Sequence, residues 1–212
     1  MRISIEGNIG AGKSSLLEAL PKRSPWLQDH VDFFPEPIHE WGETLKRYLD
    51  DKKAWSELLT LDILRGFGIP EAAKRAARHQ IVERSPYACR YVFTEILRNE
   101  GYIKNMQVID EYMDLFSWKP DMVVLIDVPP VTCLERIETR ARPGEETVTY
   151  EELRCVDYMY NKMIDAHYSD IPVVRCVQGK TESVEAFHAR ISILLTKTLD
   201  DDDKQHRLKD NQ

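Results

Sequence analysis

Residues 7–14 read Gly7-Asn8-Ile9-Gly10-Ala11-Gly12-Lys13-Ser14, a Gly-x-x-x-x-Gly-Lys-Ser run. It follows the apolar stretch Ile3-Ser4-Ile5 and leads through Ser15 into Leu16-Leu17-Glu18-Ala19-Leu20, a helical pattern. Strand, glycine-rich turn and helix in that order make a phosphate-binding loop. The glycines let backbone N–H groups turn inward, the helix start adds partial positive charge, and Lys13 reaches the β and γ phosphates. Ser14 supplies a hydroxyl for magnesium. A glycine-rich surface turn is the plainer reading, but it explains neither the flanking elements nor the Lys-Ser ending.

The rest of the chain repeats the strand and helix rhythm. Short apolar or β-branched runs occur at Ile3 to Ile5, Val31 to Phe34, Gln80 to Val82, Met122 to Ile126 and Val173 to Val177. Helical patterns lie between them, among them Glu71 to Arg78 and Val131 to Arg142, the latter behind Pro129-Pro130. About five buried parallel strands flanked by helices, a doubly wound α/β sheet, is the expected fold. Ligands of such sheets bind at the carboxyl ends of the strands, where the loop, Glu36, Glu83-Arg84 and Asp127 fall. Trp41 to Gly68 breaks the rhythm with one or two helices and no strand, and its aromatics suit either plain core or an acceptor pocket. Val184, Phe187, Ile191, Leu194 and Leu195 form one stripe of a last helix.

Composition narrows the partners. A chain of 212 residues, 42% hydrophobic and without a Pro/Gly/Ser linker, is expected to form one domain over residues 1–199. Residues 200–212, opening with Asp200-Asp201-Asp202-Asp203-Lys204, read as a disordered acidic and polar tail. A net charge of −7 argues against nucleic-acid binding, so any anionic ligand needs a local cation cluster. Cys89, Cys133, Cys155 and Cys176 are scattered without a Cys-x-x-Cys pair, which suggests neither zinc nor disulfides. The first strand starts almost at Met1 and no apolar run approaches a membrane span, so a cytoplasmic protein with no membrane partner is expected.

Several residues fit phosphoryl transfer. Pro35-Glu36-Pro37 mounts one carboxylate between prolines, placed to take a proton from an acceptor hydroxyl; an exposed structural glutamate is the alternative. Glu83-Arg84-Ser85 sets an acid for metal beside a guanidinium for the moving phosphoryl, or is merely a salt-bridged strand end. Arg136, Arg140 and Arg142 before Pro143-Gly144-Glu145-Glu146 read as a cationic lid over the triphosphate, or as a charged surface helix paired with Glu135 and Glu138.

With these residues in hand, the chain from Arg2 to about Gln178 resembles the deoxyribonucleoside kinase family. The resemblance rests on IEGNIGAGKSS, PEP followed by Trp41, ERSPYACRYVF at 83–93 and ERIETRARPGEE at 135–146. It implies a P-loop kinase fold with an arginine-rich lid. It also implies ATP- and Mg2+-dependent transfer to the 5′-hydroxyl of a deoxynucleoside, usually by a homodimer. It further implies Glu36 as base, Glu83 as magnesium organiser, and Arg84 near the 5′-oxygen. Tyr48 and Glu146 would hold the 3′-hydroxyl and Trp41 would wall the pocket; Cys176, Val177 and Gln178 would pass the donor adenine. Related lids are about one residue shorter, so Glu145 and Glu146 both remain candidates. Counting from Trp55, the family's base-reading glutamine falls at Thr60, which offers one hydroxyl instead of an amide. Cys89 and Phe67 stand where some members carry an acid and an arginine; an uncharged pair leaves room for a thymine methyl group, which points to thymidine or another pyrimidine deoxynucleoside.

Three other readings compete. A thymidylate-kinase-like monophosphate kinase needs a cationic site for the acceptor phosphate, whereas Glu36 and Tyr48 suit a neutral hydroxyl. A guanine switch needs Asn-Lys-x-Asp, and Asn161-Lys162-Met163-Ile164-Asp165 is one residue too long. A catalytically weak relative is suggested by Thr60 but opposed by intact Lys13, Glu36, Glu83 and Arg84.

Overall fold

A computed structural model of the chain describes residues 1–68, 78–142, 144–179 and 181–210. Of the helical pattern read over Glu71 to Arg78, residues 71–77 lie outside the described residues, as does Pro143. Strands β1 (Arg2–Gly7), β2 (Val31–Phe34), β3 (His79–Glu83), β4 (Met122–Asp127) and β5 (Val173–Val177) form a parallel sheet in the order β2-β3-β1-β4-β5. Each expected strand run is there, lengthened by one or two residues at some ends.

The central strands are buried on both faces, as parallel strands between helices must be. On one face Ile3, Ile5, Val124 and Ile126 pack with Leu16, Leu17 and Leu20 of α1 (Lys13–Arg23). Phe187, Ile191, Leu195 and Leu199 of the last helix, α9 (Val184–Asp210), complete that layer, and each such side chain contributes roughly 1.5–3 kcal/mol by leaving water. Val184, at the start of the stripe, is exposed. On the other face Val123 and Leu125 meet Ala88 and Val92 of α5 (Pro86–Asn99) and Val156, Met159 and Met163 of α8 (Tyr150–His167). Helix α5 runs from Pro86 to Asn99 and contains a π-helical turn at Cys89–Phe93. Segment Trp41 to Gly68 forms α3 (Ile38–Asp50) and α4 (Lys52–Gly66), which pack on each other, with α4 also against α6 (Met106–Phe116). Helix α7 (Pro130–Arg140) follows β4.

Connections from β1 and from its neighbour β3 leave in opposite directions across the sheet, so their carboxyl ends border a crevice open to a ligand. Register brings Ile5 beside Glu83 and Gly7 beside Ile126. Gly7 has φ 146°, and a Cβ there would lie 2.6 Å from the Ile126 carbonyl oxygen, so only glycine lets β1 turn into the loop at this depth.

One expectation is corrected. Residues 200–210 are not a disordered tail but the final turns of α9. The acidic run is held because Asp203 is buried against the start of β3: its Oδ1 accepts from His79 Nε2 at 3.0 Å and lies 3.3 Å from Arg78 Nε. A fully buried histidine with a carboxylate partner offsets the desolvation that charge composition alone implies. Among the described residues no helix is long and apolar enough to cross a membrane. Asp203→Ala is expected to lose about 1–3 kcal/mol of stability and lower the melting temperature, because His79 is left without its acceptor. Asp201→Ala, at an exposed position, should change it by less than about 0.5 kcal/mol, and thermal unfolding of the two variants makes the comparison.

Candidate active site

The loop after β1 reaches α1 through Gly12, whose φ of 96° is left-handed and whose cap carries no side-chain hydrogen bond. The first N–H groups of α1 are thus not taken by a side-chain cap and can face an anion. Gly10 has φ 77°, and a Cβ there would sit 2.6 Å from the Cys133 carbonyl oxygen on α7. Lys13 is buried and folds back to donate to the carbonyls of Gly7 at 3.0 Å and Asn8 at 2.8 Å. Burial, with the positive charge of Arg84, lowers its ammonium to about 8. Asn8, expected at the nucleotide, instead braces the loop from behind. Its Nδ2 donates to the Leu153 carbonyl at 2.8 Å and its Oδ1 accepts from Ile9 N at 2.9 Å, which ties the loop to α8.

Beyond β3 the expected acids and arginine come together. Glu83 Oε1 accepts from Ser14 Oγ at 2.8 Å, while its Oε2 lies 3.5 Å from the backbone N of Glu36. Glu36 pairs with Arg84. Arg84 sits at φ 64°, a left-handed conformation that costs a non-glycine residue about 1–2 kcal/mol, and its guanidinium lies 5.0 Å over the Phe93 ring. Burial opposes the Arg84 charge, but Glu36, Tyr160 and Glu83 together outweigh it and hold the guanidinium protonated. Ser14 and Glu83 place two hard oxygen donors side by side, the set Mg2+ uses together with substrate phosphates and water. Among the described residues no group of three or more His, Cys, Asp or Glu forms a metal cage by itself.

A cavity of about 480 Å3 runs from this cluster into the helical insertion. Gly10, Gly12, Lys13, Ser14 and Ser15 line one end, and Glu36, Glu83 and Arg84 the middle. Trp41, Tyr48, Thr60, Phe67 and Cys89 all border the same cavity. Phe67 is mostly core, edge-on to Trp118. Burial, helped by Glu100 and Glu152, pushes Tyr48 up to about 12, so it stays a neutral phenol able to donate. Burial likewise pushes the Cys89 thiol up to about 12. Arg140, Arg142 and Glu145 stand at the mouth, where Arg140 grips Glu145 through two nitrogens.

Some expected residues are elsewhere. Glu146 is exposed and its carboxylate accepts from the Gly144 backbone N at 2.7 Å; Glu145 is the lid acid that lines the cavity. Arg136 flanks the loop outside the cavity, donating to the Ala11 carbonyl at 3.2 Å and to Gln178 Oε1 at 2.5 Å. Gln178 is thereby joined to the loop, but Cys176 is buried in the core and Val177 is exposed. Sequence reasoning missed the apolar walls Leu59, Ile63, Phe93 and Leu97 and the rim residues Lys52, Glu100 and Glu152. The i, i+4 spacing of Leu59 and Ile63 on α4 carried that signal for one wall.

A family model of deoxynucleoside kinases matches residues 3–196. The chain belongs to the deoxynucleoside kinase family. It is a kinase that transfers phosphate to nucleosides and takes it from a nucleotide. Deoxycytidine kinase 2 of Gallus gallus is 31% identical over 195 residues, a match spanning 75% of this chain and 72% of the relative. Mitochondrial thymidine kinase 2 of Homo sapiens is 23% identical over 173 residues, spanning 76% of this chain and 63% of the relative. The solved deoxyadenosine kinase from M. mycoides, with products dCMP and a flexible dCDP bound, superposes with a TM-score of 0.77 over 93% of this chain and 100% of that one. At 20% identity it shows the shared P-loop kinase fold.

Gly10→Ala in this deoxynucleoside kinase should cost about 1–3 kcal/mol, since the new methyl meets backbone at a left-handed position. Thermal unfolding gives the loss, and nucleotide titration should show donor binding falling with it.

Proposed function

We propose that the protein transfers the γ phosphoryl group of ATP to the 5′-hydroxyl of a pyrimidine deoxynucleoside, thymidine foremost. In this reading it works in nucleotide salvage in the cytoplasm, as the homodimer the family resemblance implies. The observation that carries the reading is the Glu36–Arg84 pair, set between the phosphate-binding loop and a largely apolar cavity. An acceptor hydroxyl entering from the cavity meets the Glu36 carboxylate, which takes its proton as the oxygen attacks phosphorus; the electron pair of the breaking bond leaves on the ADP oxygen. Arg84 and Lys13 balance the charge on the equatorial oxygens. Ser14 and Glu83 would hold Mg2+, which would supply positive charge against the negative charge that develops during transfer. Glu83 lies beside Ser14 at the position assigned here to the metal, which leaves Glu36 as the base in this reading.

Arg140 and Arg142 lie where a closing lid brings them to the transferring phosphate, and Tyr48 with Glu145 faces the sugar. Arg136 and Gln178 form the shelf beside the donor. At the base end, Thr60 Oγ1 donates to the Ser56 carbonyl at 2.9 Å and Cys89 Sγ lies 3.9 Å from the Thr60 carbonyl. With its proton committed, the Thr60 oxygen can only accept. It therefore suits a base with an N3–H donor, thymine or uracil, better than cytosine, whose N3 is an acceptor.

Phosphate transfer from ATP to thymidine, deoxycytidine, deoxyadenosine and deoxyguanosine, with thymidine monophosphate as a competing acceptor, tests the assignment. Transfer to thymidine ahead of deoxycytidine is expected, and transfer only to the monophosphate would overturn it. Glu36→Gln should lower kcat by about 10²- to 10⁴-fold with little change in nucleoside affinity. Near-normal turnover would remove Glu36 as base. Thr60→Val should cut kcat/KM for thymidine by about tenfold and leave deoxycytidine nearly unaffected, the signature of one lost hydrogen bond.

A further inference from the structure

Glu6 is fully buried on β1, one residue before the phosphate-binding loop, and takes no part in the transfer described above. Its Oε1 accepts from Ser4 Oγ at 2.6 Å and its Oε2 from the Tyr160 hydroxyl at 3.3 Å. The Ser85 hydroxyl adds a further interaction. Tyr160, 2% exposed on α8, also interacts with the guanidinium of Arg84. A path of polar groups therefore runs from Ser4 through Glu6 and Tyr160 to Arg84 and on to Glu36.

This path is hard to explain as packing. Tyr160 belongs to an apolar cluster with Val123, Leu125 and Met159, where a phenylalanine ring would fill the same space. A buried carboxylate carries a desolvation penalty that an apolar side chain of similar volume avoids. Arg84, meanwhile, is poised in a conformation that needs external support. Its backbone is left-handed, its Nε is buried without a hydrogen-bond partner, Phe93 lies under one face and Glu36 holds one tip. A residue in such a region of φ/ψ space keeps one geometry only where its surroundings over-determine it. Glu6 and Tyr160 supply the support from behind.

We propose that Glu6 and Tyr160 are positioning residues, a buried chain that fixes the Arg84 guanidinium relative to the phosphate-binding loop so that it meets the transferring phosphoryl group. The proposal rests on the role given to Arg84 above. Because Glu6 belongs to the strand that carries the loop, the same chain keeps the arginine in step with Lys13.

The test compares wild type, Tyr160→Phe, Arg84→Lys and the double variant, reading kcat by phosphate transfer and nucleoside Kd by calorimetry. Tyr160→Phe keeps the ring and loses only the hydroxyl. It should lower kcat on the order of 10- to 100-fold, as small misplacements of catalytic groups do, with nucleoside Kd within about threefold of wild type. That loss should largely vanish in the Arg84→Lys background, where no guanidinium remains to be aimed. Turnover within about twofold of wild type would overturn the proposal, as would a fall in kcat matched by a rise in Kd, or an undiminished loss in the Arg84→Lys background. If Tyr160→Phe fails to melt cooperatively, Glu6→Gln is held to the same outcomes, and unfolding of both would assign the pair to the core alone. Absence of transfer by wild type to any nucleoside would instead remove the functional reading itself, and the proposal with it.

Discussion

Charges taken out of water must find partners, and at the carboxyl ends of β1 and β3 the chain gathers Lys13, Arg84, Glu36, Glu83 and Glu6 in one place. Each is answered by another, by a hydroxyl or by backbone. Lys13 turns to loop carbonyls, Glu83 to the Ser14 hydroxyl, and Arg84 to Glu36. These partners are ones a triphosphate, a metal and an acceptor hydroxyl can exchange with. The balance of charges within the site thus resembles the pattern the proposed reaction needs.

Such a cluster is tolerable only because the sheet around it is rigid. β1 and β3 are locked by register and are buried on both faces, so the ends of the strands are fixed points. The cavity hangs on those points by α3, α4 and α5. The lid reaches back to it: a Cβ on Gly144 would lie 2.5 Å from Leu49 Cδ1 of α3, and Lys52 Nζ stands 3.8 Å from Glu152 of α8. Lid and insertion therefore close the same space from opposite sides.

The regular part of this design was legible in the sequence. Every strand run and the phosphate-binding loop could be read, since fully buried parallel strands and a Gly-Lys-Ser ending leave strong local signals. Motifs of fixed spacing also picked out Glu36, Glu83, Arg84, Trp41, Tyr48 and Thr60, which the fold gathers around one cavity. What escaped depends on tertiary partners. The acidic run at Asp200 reads as solvent-loving until His79 and Arg78, more than a hundred residues earlier, are placed beside Asp203. Glu145 and Glu146 are chemically identical neighbours, and only the turn at Gly144 decides which faces inward. The alternation Arg2, Ser4, Glu6 on β1 looks like a strand with a wet face, yet all three are buried.

Irregular backbone does the aiming in this molecule. Glu36 follows a strand end and is pinned between prolines, Arg84 is left-handed, and Cys89–Phe93 forms a π turn closed by Thr94, whose hydroxyl and backbone N–H both turn to the Cys89 carbonyl. An α-helix continued through that turn would bring Phe93 and Leu97 round by a different angle, and the Phe93 ring would no longer lie under Arg84. The extra residue in the turn rotates the following helix so that one side chain serves two purposes, as a wall of the cavity and as a platform for the Arg84 cation. Placing such departures from regular geometry directly after strand ends confines their cost to the few residues that carry the chemistry, while the helices and strands on either side keep ideal hydrogen bonding and hold them in place.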